Sequence, residues 1–296
     1  MRQIGVAVFS FLVALTLTIP GIGQATSGKE SKETAAQTLA TKKYDLVLLH
    51  GLRNAHRWSD HFLTTVANVW GSGNVYVIYA NDSNEVQTRV LNGKTVTFIG
   101  RNDNTAGSEY ISDWVNQVHE KVQILQKKYG LSKQFDIIAH SQGGLVARRY
   151  IYDYPGTVAG LVTLGTPHHG SPLANDYEFA AKYIYGGEKA QSNLDPAWVE
   201  KFNQQYPVKG APLFNGGKIY TVQGDADGYD TWGVNGENFV GWMTLFTKYQ
   251  TDSDGLVPTS SAYIEGAIHL ATYDSYDHLE LVQKPDVAEK AATVLP

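Results

Sequence analysis

Ser141 lies in a run of small residues that could make a serine nucleophilic, Ala139-His140-Ser141-Gln142-Gly143-Gly144. A serine hydroxyl is a poor nucleophile unless a base lies beside it and the target carbonyl is polarised. One structural solution places the serine at the apex of a sharp turn from a strand into a helix, and this turn requires small residues two before and two after the serine. The strand-like stretch Phe135–Ile138 and the helix-like stretch Gly144–Tyr150 flank the run and favour this nucleophile over a plain helix cap.

A second short motif, His50-Gly51-Leu52, ends the first predicted strand. Acyl transfer needs two N–H donors aimed at the developing oxyanion. One comes from the residue after the nucleophile, here Gln142, and the other from a loop after an early strand, where a glycine lets the backbone approach. We therefore expect the backbone N–H groups of Leu52 and Gln142 to form the oxyanion hole, with His50 shaping the loop.

The base must come from the nine histidines. In folds that place a nucleophile on such a strand-to-helix turn, the order along the chain is nucleophile, acid, base. That order excludes the early histidines and the pair directly after a strand: His50, His56, His61, His119, His140, His168 and His169. His269 lies in an apolar strand, which is typical of a satisfied core histidine, whereas His278 follows a polar loop and is the predicted base.

The acid must lie between Ser141 and His278. The turn Asp252-Ser253-Asp254-Gly255 offers two carboxylates, and we favour Asp254 over Asp252. Aspartates are common in turns because they form local hydrogen bonds, so a purely local structural role is the alternative for both residues. The acids of the run Asp225–Asp230 are less favoured.

Strand-like and helix-like stretches alternate along the chain. This alternation predicts an α/β fold with a mostly parallel central sheet and helices on both faces. The predicted strands are Lys43–His50, Val75–Tyr79, Phe135–Ala139, Val158–Leu164, Lys218–Val222 and Ala267–Ala271. The predicted helices are Tyr110–Tyr129, Gly143–Tyr152 and Asp286–Val294. Two aromatic-rich intervals, 171–215 and 224–252, interrupt the alternation as excursions from the sheet.

The N-terminus and the composition indicate a secreted protein. A basic start, a short apolar run and a helix-breaking Pro20-Gly21 predict a signal peptide over 1–25, followed by a flexible segment over 26–42 and one catalytic domain over 43–296. No later segment predicts a transmembrane anchor. The net charge is −5 without a dense basic run, which argues against nucleic-acid binding, and the absence of cysteine excludes thiolate chemistry.

With these residues placed, the chain resembles the bacterial true lipases of the α/β-hydrolase superfamily, above all the secreted lipases of bacilli and pseudomonads. The resemblance covers most of the chain after Lys43. Four anchors carry it: Leu48–Leu52, Ala139–Gly144, Gly165–Ser171, and Asp254–Val257 with His278-Leu279. The third anchor reads Gly165-Thr166-Pro167-His168-His169-Gly170-Ser171.

The resemblance implies a triad of Ser141, Asp254 and His278, with the N–H groups of Leu52 and Gln142 as oxyanion hole. It also implies a lid over 171–215, which the aromatic side chains there favour, although a fixed cap is the alternative. Some relatives bind a structural calcium near the histidine. Glu280 and the acids of Asp225–Asp230 offer oxygen ligands, but the sequence does not commit to a metal, and no cofactor is required.

The expected activity is hydrolysis of lipid esters, such as triacylglycerols, at a lipid–water interface. A short-chain carboxylesterase, a phospholipase and a polyester depolymerase use the same triad and are alternatives. A non-catalytic lipid-binding module or a surface adhesion protein is a different class, and the intact nucleophile and base count against it.

Overall fold

The computed structural model describes residues 42–177, 179–180, 187–231 and 236–296. The predicted signal peptide, most of the flexible segment, Tyr183 and Tyr185 lie outside these ranges. The strands, in chain order, are β1 (Asp45–Leu49), β2 (Val75–Ile78), β3 (Val86–Leu91), β4 (Lys94–Ile99), β5 (Phe135–His140), β6 (Val158–Leu164), β7 (Ile219–Gly224) and β8 (Ile268–Tyr273).

These strands form one sheet with the order β3-β4-β2-β1-β5-β6-β7-β8. Every neighbouring pair is parallel except β3 with β4. The predicted α/β fold with a mostly parallel sheet is therefore confirmed. Because parallel strands end at the same edge, β1, β5, β6 and β7 bring the loops that follow them together.

The hairpin of β3 and β4 was not predicted. Its two-residue turn, Asn92-Gly93, has positive φ at both positions, 48° and 76°, as such turns require. The side chains of β3 are mostly exposed, so the strand lacks the apolar run that predicted the central strands. The Asn-Gly pair between alternating residues was the signal that could have identified it.

Helices cover both faces of the sheet. They are α1 (Asp60–Trp70), α2 (Ile111–Lys128), α3 (Gly143–Asp153), α4 (Glu188–Ser192), α5 (Pro196–Gln205), α6 (Gly228–Thr231), α7 (Gly236–Lys248), α8 (Thr259–Ala262) and α9 (Pro285–Thr293). Among the described residues, no helix has the length and apolar character needed to cross a membrane.

Alternate residues of the central strands enter two separate cores. On β1, Val47 and Leu49 pack into the core that contains α2 and α3, whereas Leu46 and Leu48 pack into the core of α1 and α9. A strand buried on both faces reads as a continuous apolar run, which is why the sequence predicted it well.

The edge strand β8 differs from its predicted environment. His269 is exposed, not a core residue, because β8 has a neighbour on one side only and most of its side chains are at least partly exposed. Its ring nitrogens lie 3.0 Å from the hydroxyls of Thr221 and Thr272. The residue is satisfied, as expected, but at the surface.

Asp136 on β5 is a buried carboxyl group that makes stability depend on pH. Burial raises its pKa to about 8, and the charge of Lys42 and the N–H of Gly160 offset this only in part. The folded pKa exceeds the unfolded value of 3.8, so the contribution of this group to the unfolding free energy is greatest below pH 4 and falls as the pH rises towards 8. We expect a loss of up to about 5 kcal/mol over that range from this group.

Denaturant unfolding between pH 4 and 9 measures this effect. Asp136→Asn should flatten the decline, whereas Asp60→Asn, at an exposed ion pair with Arg89, should leave it unchanged. An Asp136→Asn protein with the wild-type slope would contradict the prediction.

Candidate active site

Ser141 occupies the turn between β5 and α3, as the sequence predicted. Its φ is +54°, a left-handed conformation that is rare for a residue with a side chain and is typical of a strained site. The backbone around it is held firmly: its N–H donates to the Leu164 carbonyl at 2.8 Å, and its carbonyl accepts from Thr166 Oγ1 at 2.8 Å. These backbone bonds therefore fix the direction of the Cα–Cβ bond of the serine.

The small residues of both motifs are needed because the backbones touch. A methyl group on Gly143 would collide with the His50 carbonyl oxygen. A methyl group on Gly51 would lie 2.7 Å from Ser141 Cβ and 3.3 Å from its Oγ. Glycine at these positions lets the loop after β1 lie directly beside the serine.

His278 and Asp254 form a buried pair beside this turn. His278 Nδ1 lies 2.7 Å from Asp254 Oδ2, and both side chains are 1% exposed. The other carboxylate oxygen of Asp254 accepts the backbone N–H groups of Leu256 and Val257, at 3.0 and 2.8 Å. These bonds leave the carboxylate aimed at Nδ1, so Nδ1 carries the proton and Nε2 is free to act as a base.

Charge around His278 favours its protonated form. Burial alone would lower the pKa of the imidazole, but the Asp254 carboxylate, with smaller contributions from Asp277 and Glu237, raises it above 6.5. A base with a raised pKa that lines the same pocket as a serine suits proton abstraction near neutral pH.

The other candidate acid lies elsewhere. Asp252 is exposed and its backbone carbonyl, not its carboxylate, binds Thr259. In the run Asp225–Asp230, Asp227 Oδ1 accepts the N–H groups of Tyr229 and Asp230 and organises a local turn. Of these acids, the structure therefore places Asp254 against His278.

The two N–H groups that are expected to form the oxyanion hole are available to bind a ligand. Within the described part of the chain, the N–H groups of Leu52 and Gln142 have no hydrogen-bond acceptor. His50 stabilises the loop after β1: its Nδ1 donates to the Gly51 carbonyl at 2.7 Å and its Nε2 accepts the Ala80 N–H at 3.0 Å. The predicted loop-shaping role of His50 matches these bonds.

Ser141 and His278 line one pocket. Its wall is largely apolar, with contributions from the β1 loop, the segment after β6, and α7. The lining residues that carry apolar side chains include Leu52, Pro167, Leu173, Phe179, Leu194, Leu256 and Val257. The arrangement can bind an acyl chain and hold its carbonyl beside the serine.

Two further histidines pack around His278 and were excluded as bases by chain order. The ring centroid of His56 lies 5.2 Å from that of His278, and the centroid of His140 lies at 4.5 Å. Burial lowers the pKa of His56 to about 3 and that of His140 well below 6.5, with the charge of His278 adding to both. Both rings stay neutral, so they shape the site without competing for the proton.

The third sequence motif, Gly165–Ser171, braces the site. A methyl group on Gly165, whose φ is +54°, would lie 2.9 Å from Asp254 Oδ2 and 3.1 Å from His278 Nδ1. Ser171 donates its hydroxyl to the Leu256 carbonyl at 2.7 Å. His168 is buried, with Arg148 Nη1 at 3.2 Å from its Nδ1 and Thr163 Oγ1 at 3.1 Å from its Nε2.

Glu280, one of the acids considered for calcium, makes other contacts. Glu280 accepts the Asp277 N–H at 3.0 Å and pairs with Lys284 at 2.9 Å. Within the ranges that the structure describes, no group of three or more histidine, aspartate or glutamate side chains is arranged to hold an ion. No step of the chemistry is assigned to a metal.

The fold and this constellation define an α/β-hydrolase. The sequence profile of palmitoyl protein thioesterases matches residues 45–208, more than half of the chain. The chain therefore belongs to the palmitoyl protein thioesterase family.

Two curated triacylglycerol lipases are also similar in sequence. The one from Burkholderia plantarii is 27% identical over 159 residues, and the one from Pseudarthrobacter phenanthrenivorans is 29% identical over 140 residues. These alignments cover 54% and 47% of this chain but only 39% and 38% of the two lipases.

Solved structures share the fold at low identity. The mature lipase BlEst2 of Bacillus licheniformis has a TM-score of 0.58 at 21% identity, covering 82% of this chain and 87% of the lipase. The metagenomic carboxyl esterase MGS0156 has a TM-score of 0.57 at 17% identity, covering 86% and 76%. Together with the two sequence relatives, they confirm the expected likeness to bacterial α/β-hydrolase lipases.

Proposed function

We propose that this chain is a serine ester hydrolase that cleaves carboxylic esters of lipids through an acyl-enzyme on Ser141. One observation carries the proposal: a serine at a strained turn shares an apolar pocket with a buried His278–Asp254 pair. The triacylglycerol lipase relatives and the family match support the same chemistry.

In the proposed mechanism His278 Nε2 takes the hydroxyl proton as Ser141 Oγ attacks the ester carbonyl. The N–H groups of Leu52 and Gln142 stabilise the oxyanion, and Asp254 stabilises the imidazolium. The tetrahedral intermediate collapses, and the alcohol leaves with the proton from His278. Water then loses a proton to His278, attacks the acyl-enzyme, and releases the carboxylic acid and the free serine.

An acyl-length series tests this function. Rates on p-nitrophenyl esters from two to sixteen carbons, and on a triacylglycerol emulsion, separate a lipase from a short-chain carboxylesterase. We expect activity to extend to long chains because the pocket wall is apolar. Hydrolysis confined to acetate and butyrate would contradict the lipid substrate, and no hydrolysis at all would contradict the proposed function. A phospholipid and a polyester film extend the same assay to the two remaining alternatives.

The family match favours a second candidate, hydrolysis of acyl thioesters. The same serine, base and oxyanion donors could cleave an oxygen ester or a thioester, because both pass through a tetrahedral oxyanion. Comparing kcat/KM for an octanoyl oxygen ester and an octanoyl thioester of the same leaving-group size separates them. A preference of more than about tenfold for the thioester, about 1.4 kcal/mol in transition-state binding, would favour this second candidate.

The proposed contact with a lipid surface involves α7. Its inner residue Leu245 packs against Leu173 and Phe179 over the pocket. On its outer face, Trp242 stacks on Phe246 with ring centroids 5.2 Å apart, and Phe246 is 53% exposed. Exposed aromatic side chains beside an apolar pocket are typical of a surface that meets lipid.

The interval 171–215, for which the sequence predicts a lid or a fixed cap, packs differently in its described parts. The part that includes α5 packs into the main core through Val199 and Phe202, which is typical of a fixed cap. The residues that line the pocket in this interval belong mainly to its first part, with Leu173 and Phe179. We therefore propose that α7 and the first part of this interval, rather than α5, meet the substrate surface.

The double variant Trp242→Ala/Phe246→Ala tests this contact. We expect at least about a tenfold loss of binding to phosphatidylcholine vesicles and of activity on an emulsion, because two aromatic side chains no longer enter the lipid. Hydrolysis of soluble p-nitrophenyl butyrate should stay within about twofold of wild type. Tyr129→Ala, at an exposed aromatic residue elsewhere, is the matched control. Equal losses in both assays would contradict the proposed contact.

We further propose that the protein is secreted after removal of residues 1–25. The basic start, the apolar run and the Pro20-Gly21 break support this, and the mature chain would then comprise the segment 26–42 and the domain 43–296. Such an N-terminus is compatible with an enzyme that acts on lipid outside the cell.

A further inference from the structure

His140 is the last residue of β5 and directly precedes Ser141. Its side chain is buried, and its Nε2 lies 3.0 Å from the backbone carbonyl oxygen of His278. A carbonyl oxygen can only accept a hydrogen bond, so Nε2 carries the proton and donates it. This bond joins the residue before the nucleophile to the residue that supplies the base, although 138 positions separate them along the chain.

The opposite side of the His140 ring agrees with this proton position. Its Nδ1 has no hydrogen-bond partner among the described residues. A methyl group on Gly51 would lie 3.2 Å from this nitrogen, so Nδ1 faces the loop after β1. Burial lowers the pKa of the ring well below 6.5, and the charge of His278 adds to this effect. The ring is therefore neutral, and its single N–H proton points at the His278 carbonyl.

Two hydrogen bonds hold the backbone of His278. Its N–H donates to the Asp254 carbonyl at 2.8 Å, and its carbonyl accepts from His140. The first bond attaches the base to the segment of its acid, and the second attaches it to the strand that ends at the nucleophile. Proton abstraction requires the base within hydrogen-bond reach of the serine hydroxyl, and a misplacement of about 1 Å can cost about a hundredfold in rate.

We propose that His140 is a positioning residue whose Nε2–H holds the base His278 in place relative to the nucleophile Ser141. The inference rests on the proposed ester hydrolysis and adds a residue to it. His140 is not among the described residues that line the pocket, so it acts through His278 and not on the substrate. Loss of the bond should therefore lower kcat while KM stays nearly constant.

Three substitutions separate the hydrogen bond from the volume of the ring. The amide nitrogen of glutamine lies about as far along the side chain as histidine Nε2, so His140→Gln can keep the bond. The amide of asparagine reaches only as far as Nδ1, and leucine has no donor. With p-nitrophenyl butyrate, we expect His140→Asn and His140→Leu to lower kcat about 10- to 100-fold and to change KM by less than about twofold. His140→Gln should restore kcat to within about fivefold of wild type.

His119→Gln is the matched control, because it changes a half-buried histidine on α2 that packs against Tyr150 and Tyr154. It should keep the kcat of wild type. A folded His140→Leu protein with the wild-type kcat would overturn the inference. Equal losses of kcat in all three His140 variants would also overturn it, because the ring volume and not the donor would then matter.

A ¹H–¹⁵N correlation spectrum of the histidine rings tests the bond in the wild-type protein, without any variant. We expect a protonated Nε2 and an unprotonated Nδ1 for His140, with slow exchange of the Nε2 proton because the ring is buried. A proton on Nδ1 would overturn the inference, while the ester hydrolysis would stand. If the wild-type protein hydrolyses no ester, the proposed function itself fails.

Discussion

Replacing Ser141 by alanine is expected to lower kcat for ester hydrolysis by at least about 10⁴-fold. The variant loses the hydroxyl oxygen that forms the acyl-enzyme in the proposed mechanism, while the oxyanion donors and the pocket remain. The melting temperature should change little, because alanine keeps the Cβ at the strained φ of +54° and the bonds of the backbone N–H and carbonyl do not involve the hydroxyl. Steady-state rates and a thermal unfolding curve measure the two effects.

The control for this variant is Ser260→Ala, at an exposed serine on α8. It should retain full activity. Ser141→Ala protein that is folded and hydrolyses esters at a rate near that of wild type would overturn the proposed mechanism. If the folded variant binds lipid without turnover, lipid binding does not depend on the serine hydroxyl. The wild-type rate then excludes a purely lipid-binding role.

Replacing Asp254 by asparagine is expected to lower kcat by about 10³- to 10⁴-fold. The side chain keeps its size, but an amide in place of the carboxylate cannot stabilise the imidazolium. It also permits the His278 tautomer with the proton on Nε2, in which the base is no longer free to accept the serine proton. Asp252→Asn, two residues earlier and exposed, should stay within about twofold of wild type.

The same pair sets the pH dependence of the reaction. Because Asp254 raises the pKa of His278 despite its burial, kcat/KM should fall on the acid side with a midpoint above 6.5. In Asp254→Asn, the acid-side midpoint of the residual kcat/KM should lie at a lower pH than in wild type, since burial then lowers the pKa of His278 without the opposing charge of the carboxylate. A wild-type midpoint below 6.5, or an unchanged midpoint in the variant, would contradict this role of Asp254.

The central strands and the nucleophile turn could be predicted because each leaves a local signal. Strands buried on both faces read as apolar runs, and the turn at Ser141 requires small residues at fixed offsets. The edge of the sheet was harder: β3 is largely exposed and was missed, and His269 was expected in the core because its apolar neighbours resemble those of a buried strand. Exposure at an edge depends on which strand is last, and short-range patterns do not contain that information.

The composition of the pocket wall could not be predicted either. Glu237 lies in the first turn of α7, nearly one hundred residues after Ser141, and belongs to no sequence motif. Chain order excluded His56 as a base, and burial keeps its ring neutral. The sequence did not show that this ring packs against His278. Asp136 lies in the strand before the nucleophile, where the sequence shows an aspartate but not that burial raises its pKa to about 8.

By itself, the sequence predicted a nucleophile, an acid and a base in this order, because local turn chemistry depends on neighbouring residues and the fold type sets the order of the three groups along the chain. It left two aspartates available in one turn. Only the tertiary structure decided between them, since it places Asp254 at 2.7 Å from His278 and leaves Asp252 exposed. The same is true of Glu237 and Arg53: they line one pocket because distant segments pack together, and that packing is a property of the whole fold.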